Sequence, residues 1–177
     1  MKETRVLVLL LVPLLLLSCS WFAWREYSSE DGSFSVLLPG TPDEQTETVT
    51  TELGDISLTI LMAQPDESMI YFISYSDYPA AAVAASDPLS LLASARDSTV
   101  DSQGGSLTGQ YRITLGEHPG LAFIADVKME GRDAVLRARN YIVGNRLYQV
   151  FAMAYRESDS VDEMNRFFQS FRLSEPS

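Results

Sequence analysis

The sequence predicts an α+β sandwich, a mainly antiparallel sheet covered by helices. Three observations carry this. Seven or eight segments between residues 27 and 155 carry apolar side chains at a period of two. Most are joined by short turns bearing Gly, Asp or Asn, the connection that links neighbouring antiparallel strands. Only two segments repeat apolar residues at helical spacing. They lie far apart in the chain, so they can cover different faces of the sheet.

Each element has its own signal. Phe34, Val36 and Leu38 alternate after the Asp31-Gly32 turn, and Pro39-Gly40-Thr41-Pro42 stops the run. Thr46 to Leu53 is Thr-rich and polar, as an exposed or edge strand would be. Gly54-Asp55 turns the chain into Ile56, Leu58, Ile60 and Met62, and Pro65-Asp66 breaks that segment. Met69, Tyr71, Ile73 and Tyr75 share one face of the next strand, with Ile70 and Phe72 on the other, so both sides should be covered. Ala80 to Ala85 reads as a loop or a short helical turn.

Asp87-Pro88 is a helix start, a capping carboxylate before proline at the first helical position. Leu89, Leu92, Ala93, Arg96 and Val100 follow at helical spacing, and Gly104-Gly105 ends the helix. Four strands come next: Gln110 to Leu115, Leu121 to Glu130, Ala134 to Val143 and Arg146 to Tyr155. Their connections are Gly116 to Gly120, Gly131-Arg132-Asp133 and Gly144-Asn145, an antiparallel meander. In the last helix Ser160 and Glu163 form a capping-box pattern, and Val161, Met164, Phe167, Phe168 and Phe171 make one apolar stripe.

The first eighteen residues are expected to be a leader. Lys2 and Arg5 precede an apolar run from Val6 to Leu17. Twelve helical residues reach about 18 Å, short of a bilayer core of about 30 Å. That length and those flanks mark a signal peptide rather than a membrane span. Leu16-Leu17-Ser18-Cys19 resembles the bacterial lipobox, in which the cysteine thiol is joined to diacylglycerol and becomes the first mature residue. Cys19 is the only cysteine, so its lipidation leaves no thiol for a disulfide, and the fold must rest on its core. The expected organisation is a leader (1–18), a lipid-anchored tether (19–26), one domain (27–174) and a short tail (175–177). Trp21, Phe22 and Trp24 suit a head-group region. Trp24 suits the first strand equally well.

The chain carries a net charge of −11, and the leader's Lys2, Glu3 and Arg5 leave −12 on the remainder. Such a balance argues against nucleic acid, whose binding needs Lys and Arg on phosphates. It also argues against broad docking on anionic head groups.

Three motifs together carry a family resemblance. Tyr27-Ser28-Ser29-Glu30-Asp31-Gly32-Ser33-Phe34-Ser35-Val36-Leu37-Leu38-Pro39-Gly40 opens the domain, Asn145-Arg146-Leu147-Tyr148-Gln149-Val150 sits in the last hairpin, and Phe167-Phe168-Gln169-Ser170-Phe171-Arg172-Leu173 closes the last helix. This set is similar to the PsbP-like superfamily, which takes in PsbP, Mog-type and DcrB-like proteins. The resemblance spans about residues 24–174. It implies an α/β/α sandwich around an antiparallel sheet and a non-enzymatic accessory or binding role. The metal-binding residues of photosynthetic members have no matching motif here.

Candidates for chemistry are few. His118, the only histidine, sits in a Gly-Glu-His-Pro-Gly stretch read as a turn, with no Gly-x-Ser-x-Gly elbow in the chain. One histidine and one lipidated cysteine exclude the usual structural zinc sets. Glu157, Asp159, Asp162 and Glu163 could gather calcium, but they lack the spacing and glycine of an EF-hand and suit the positive end of a helix. Arg137 and Arg139 share a strand face, with Arg132 and Arg146 near the flanking turns. They form either an anion or partner site or a solvated face paired with carboxylates.

No catalytic, cofactor-binding or metal residue is therefore expected, and Cys19 is the one modification site. The function expected is a membrane-anchored, non-enzymatic binding or accessory module of the cell envelope, acting with a protein partner. The alternatives are a small-ligand carrier with a pocket between helix and sheet and, behind it, a hydrolase. Ser20 lacks the aspartate that retains lipoproteins in some inner membranes, which favours the outer membrane in a Gram-negative cell.

Overall fold

The computed structural model describes residues 23–51, 54–158 and 160–174. The leader, Cys19, Trp21, Phe22, Asp159 and the tail lie outside the described residues. β1 (Trp24–Ser28) and β2 (Phe34–Pro39) form a hairpin whose turn places Gly32 at a φ of 67°. Glycine takes that left-handed conformation without a steric penalty. β10 (Arg172–Leu173) pairs with the other edge of β2, giving a three-stranded sheet in the order β1-β2-β10.

The second sheet has seven strands: β3 (Asp43–Thr51), β4 (Gly54–Asp66), β5 (Met69–Asp77), β6 (Ser106–Leu115), β7 (His118–Met129), β8 (Arg132–Val143) and β9 (Arg146–Tyr155). Their order is β3-β4-β5-β9-β8-β7-β6, and every neighbouring pair is antiparallel. The helices are α1 (Ala80–Ala84), α2 (Pro88–Ser102) and α3 (Val161–Ser170). None of the described helices is long and apolar enough to cross a membrane.

The period of two sorts the large sheet into two faces. On one face Leu61, Tyr71, Ile73 and Val150 meet Phe34, Val36 and Leu38 of β2 and Met164, Phe167 and Phe168 of α3. On the other, Leu121, Ile142 and Leu147 pack with Leu92 of α2, while Phe123, Val127 and Leu136 cluster with Val100. The sandwich is therefore sheet-dominated. A helix covers part of one face, and α3 shares the other with the small sheet.

Several elements differ from expectation for local reasons. β1 takes in Trp24, Arg25 and Glu26, because the Trp24 ring meets Tyr71 edge-on at 5.6 Å. The β7–β8 turn is Glu130-Gly131 (φ 52° and 81°), so Arg132 and Asp133 already belong to β8. Both central residues at positive φ match the right-handed twist of the strands. His118 and Pro119 pair with Leu115 and Thr114, so His118 begins β7 and is not a turn residue. β4 runs through Pro65 with a register shift between Ala63 and Asp66. Ser160 is the α3 cap position, but its side chain makes no capping bond, and Val161 points outward at 46% exposure.

Candidate functional site

A cavity of about 440 Å³ lies between α2 and the large sheet. That volume falls within the range of small-molecule sites. It exists because α2 is a poor cover. Asp87 accepts a bond from the Ser90 amide at 2.9 Å and Pro88 follows, so the start is firm. Yet of its fifteen residues only Leu92 and Val100 are fully buried. Between them the half-buried positions beside the cavity are Ala95 and Thr99, too small to fill the gap, while Ser94, Ser98 and Ser102 border it from exposed positions.

The sheet wall comes from Ser74 and from Ile142, Leu147, Gln149 and Phe151 of β8 and β9. Leu147, Gln149 and Phe151 alternate along β9, as one strand face requires. Phe151 stacks on Phe72 with centroids 4.8 Å apart and planes at 20°. A hydrogen-bond relay crosses from sheet to helix. Ser74 Oγ donates to Gln149 Oε1 at 3.4 Å, Gln149 Nε2 donates to Thr99 Oγ1 at 3.0 Å, and Thr99 Oγ1 donates to the Ala95 carbonyl at 2.9 Å. No Asp, Glu, His, Lys, Arg or Cys side chain is among the lining residues.

Asn140 continues this polar row. In register Ser74 faces Gln149, Gln149 faces Asn140 and Asn140 faces Leu121. Asn140 is 1% exposed, and neither its Nδ2 nor its Oδ1 hydrogen-bonds to any described residue. A buried polar group left unmet costs about 1–3 kcal/mol.

On the opposite face Arg146 forms a separate ionic node. Its Nε and Nη2 grip Asp77 at 2.7 and 2.6 Å, and its Nη1 donates to Asp31 and, at 3.1 Å, to Ser33 Oγ. Its guanidinium lies 5.0 Å from the Tyr75 ring centre. Burial works against ionisation of Asp31, but hydrogen bonds from Arg146, Ser33 and Ser29 outweigh it and hold this carboxyl below the usual carboxylate range. The bonds to Asp77 and Asp31 push Arg146 above its ordinary value against the opposing effect of burial.

The remaining candidates disperse. Arg132 pairs with Glu157 and lies 3.6 Å from the Tyr155 ring centre. Arg139 donates to the Phe168 carbonyl at 3.3 Å and borders, with Arg137, Tyr111 and Asn165, a cleft of about 60 Å³. The four arginines thus form no single site. Among the described residues no group of three His, Cys, Asp or Glu side chains is placed to hold a metal ion. His118 takes no part in the α2 cavity.

No family model and no curated protein matches the sequence. Solved structures do. The cyanobacterial PsbP (CyanoP) of Synechocystis superposes with a TM-score of 0.58 at 10% identity, covering 86% of this chain and 94% of that one. A protein from Bacteroides thetaiotaomicron gives 0.50 at 13% identity over 86% of this chain, which spans 49% of that longer protein. LpqN of Mycobacterium tuberculosis, involved in cell envelope biogenesis, gives 0.49 at 11% identity over 86% and 91%, a superposition too loose to argue from. The fold is PsbP-like, and at these identities the likeness extends to the fold alone.

Proposed function

We propose that this chain is a membrane-anchored lipoprotein of the cell envelope whose PsbP-like domain is a non-enzymatic binding module. The lipobox-like Leu16-Leu17-Ser18-Cys19 supports the anchor. The cavity beneath α2 carries the binding reading and favours its small-ligand form over protein docking. A nucleophilic hydroxyl needs a general base within reach. The cavity offers Ser74, Ser94, Ser98 and Thr99 with no acid, imidazole, amine or thiol in its lining. What these walls supply is apolar contact and neutral hydrogen bonds.

Native mass spectrometry of gently extracted protein tests this. A small molecule retained by wild type and lost in Ser98→Trp, which fills the cavity, is the expected result. A specific protein recovered by crosslinking in intact source cells, with no small molecule, would replace carriage by protein docking.

A further inference from the structure

We infer that the cavity beneath α2 selects an uncharged ligand presenting a hydrogen-bond donor beside an acceptor, as a carboxamide does, and that Asn140 reads that pair. The inference rests on the cavity being a binding site and names its ligand class.

Charge comes first. A buried ionic ligand needs a counter-charge, because removing an ion from water into an apolar site is costly. The lining holds none, although the chain is rich in acids. Ligand chemistry here is therefore neutral. The polar row comes second. Ser74 and Gln149 stand in the cavity wall and are already occupied by the relay to Thr99. Asn140 stands opposite Gln149 on the neighbouring strand, outside the cavity wall itself, with an unused donor and an unused acceptor on one planar amide. To reach Asn140 the ligand's head must displace the Gln149–Thr99 bond, which closes the relay on the cavity side. Only a ligand with both functions satisfies both atoms of Asn140. Phe151, Ile142 and Leu147 provide contact for an apolar or aromatic body beside that head.

Nicotinamide, nicotinate and 3-acetylpyridine test this as a matched set. They are neutral with donor and acceptor, anionic, and neutral with an acceptor only. Saturation-transfer NMR titrations use the full-length protein in lipid nanodiscs, with Ser98→Trp as the background. Nicotinamide is expected to bind, 3-acetylpyridine about five- to tenfold more weakly for one lost hydrogen bond, and nicotinate not at all. Asn140→Leu should erase the preference for nicotinamide and raise the melting temperature, since it removes an unmet buried amide. Asn140→Ala repeats the binding test in case leucine does not fit.

Failure of all three probes to exceed the Ser98→Trp background overturns this inference, and retention of a small molecule by wild type in native mass spectrometry then leaves the cavity standing as a binding site. Binding of nicotinamide with its preference intact in both Asn140 variants overturns the role of Asn140 and leaves the cavity standing. Binding of nicotinate as tight as that of nicotinamide overturns the selection for a neutral ligand.

Discussion

Arg146→Met removes a charge that ties three distant segments together. Asp31 lies 115 residues away in the β1–β2 turn, and Asp77 lies 69 residues away at the end of β5. The arginine side chain is 20% exposed, while Asp31 and Asp77 are 38% and 53% exposed. Solvent therefore screens both pairs, and each is worth about 0.5–1 kcal/mol. The contact with Tyr75 adds about 0.5–1 kcal/mol. Methionine keeps most of the apolar stem, so the substitution should cost about 2 kcal/mol. For a domain of this size that lowers the melting temperature by about 4–8 °C. Circular dichroism melts at neutral pH measure it. The acid limb supplies a second reading. Asp31 titrates below its unfolded value, so its contribution is full above about pH 4. It fades as pH falls through that unfolded value towards the lower folded one. Wild type should lose stability there, and Asp31→Asn should be flatter over the same range. A shift under about 1 °C at neutral pH, or parallel acid limbs in wild type and Asp31→Asn, would refute the assignment of this node as a stabilising tie.

Phe34→Ala should destabilise by about 3–5 kcal/mol in urea denaturation, since its fully buried ring touches Tyr27, Tyr75, Tyr148 and Phe171. Gly120→Ala should cost about 1–3 kcal/mol by overpacking. A Cβ there stands 2.5 Å from the Tyr141 ring and 2.9 Å from the Asn140 carbonyl oxygen, and the same denaturation curves would reveal it. Asp87→Ala should cost about 1 kcal/mol through loss of the α2 cap. Faster hydrogen exchange confined to the first turns of α2 is the expected signature. Cys19→Ala should release the protein from membranes or leave it unprocessed, as fractionation and mass spectrometry of the N-terminus would show.

The legible parts of the fold were those whose signal is local. Asp87-Pro88 marks the start of α2 to the residue and Gly104-Gly105 its end to within one, because capping and left-handed glycine are properties of single turns. Arg146–Tyr155 is read to the residue, because the Gly144-Asn145 hairpin turn marks its start and the polar Arg156-Glu157-Ser158 its end. What was not legible depends on distant partners. Leu173 reads as the end of order, but it pairs with Phe34, and nothing near Leu173 announces that register. The two-sheet arrangement is hidden for the same reason. At the site, the poor fill beneath α2 was visible in principle as a run of small residues, Ala95 and Thr99, at half-buried positions between Leu92 and Val100. That run was available as a signal of an incomplete cover. Asn140 had no such signal, since an asparagine in a strand becomes informative only once its partners are known to be missing.

The motifs that resemble the PsbP-like superfamily and the residues that build the cavity occupy opposite faces of one sheet. Asp31, Phe34, Arg146, Tyr148 and Phe171 converge on the side of α3. Asp31 bonds to Arg146, and Phe34 touches both Tyr148 and Phe171. Along β9 the alternation is strict. Arg146 and Tyr148 face this node, while Leu147 and Gln149 between and beyond them face the cavity. The same four-residue stretch thus holds the scaffold with one set of side chains and lines the candidate site with the other. A substitution at Leu147 or Gln149 can alter what the cavity accepts without touching the node, because side chains on opposite faces of a strand do not share contacts. This is a physical reason why one strand can hold a fold and still vary the surface it lends to a cavity.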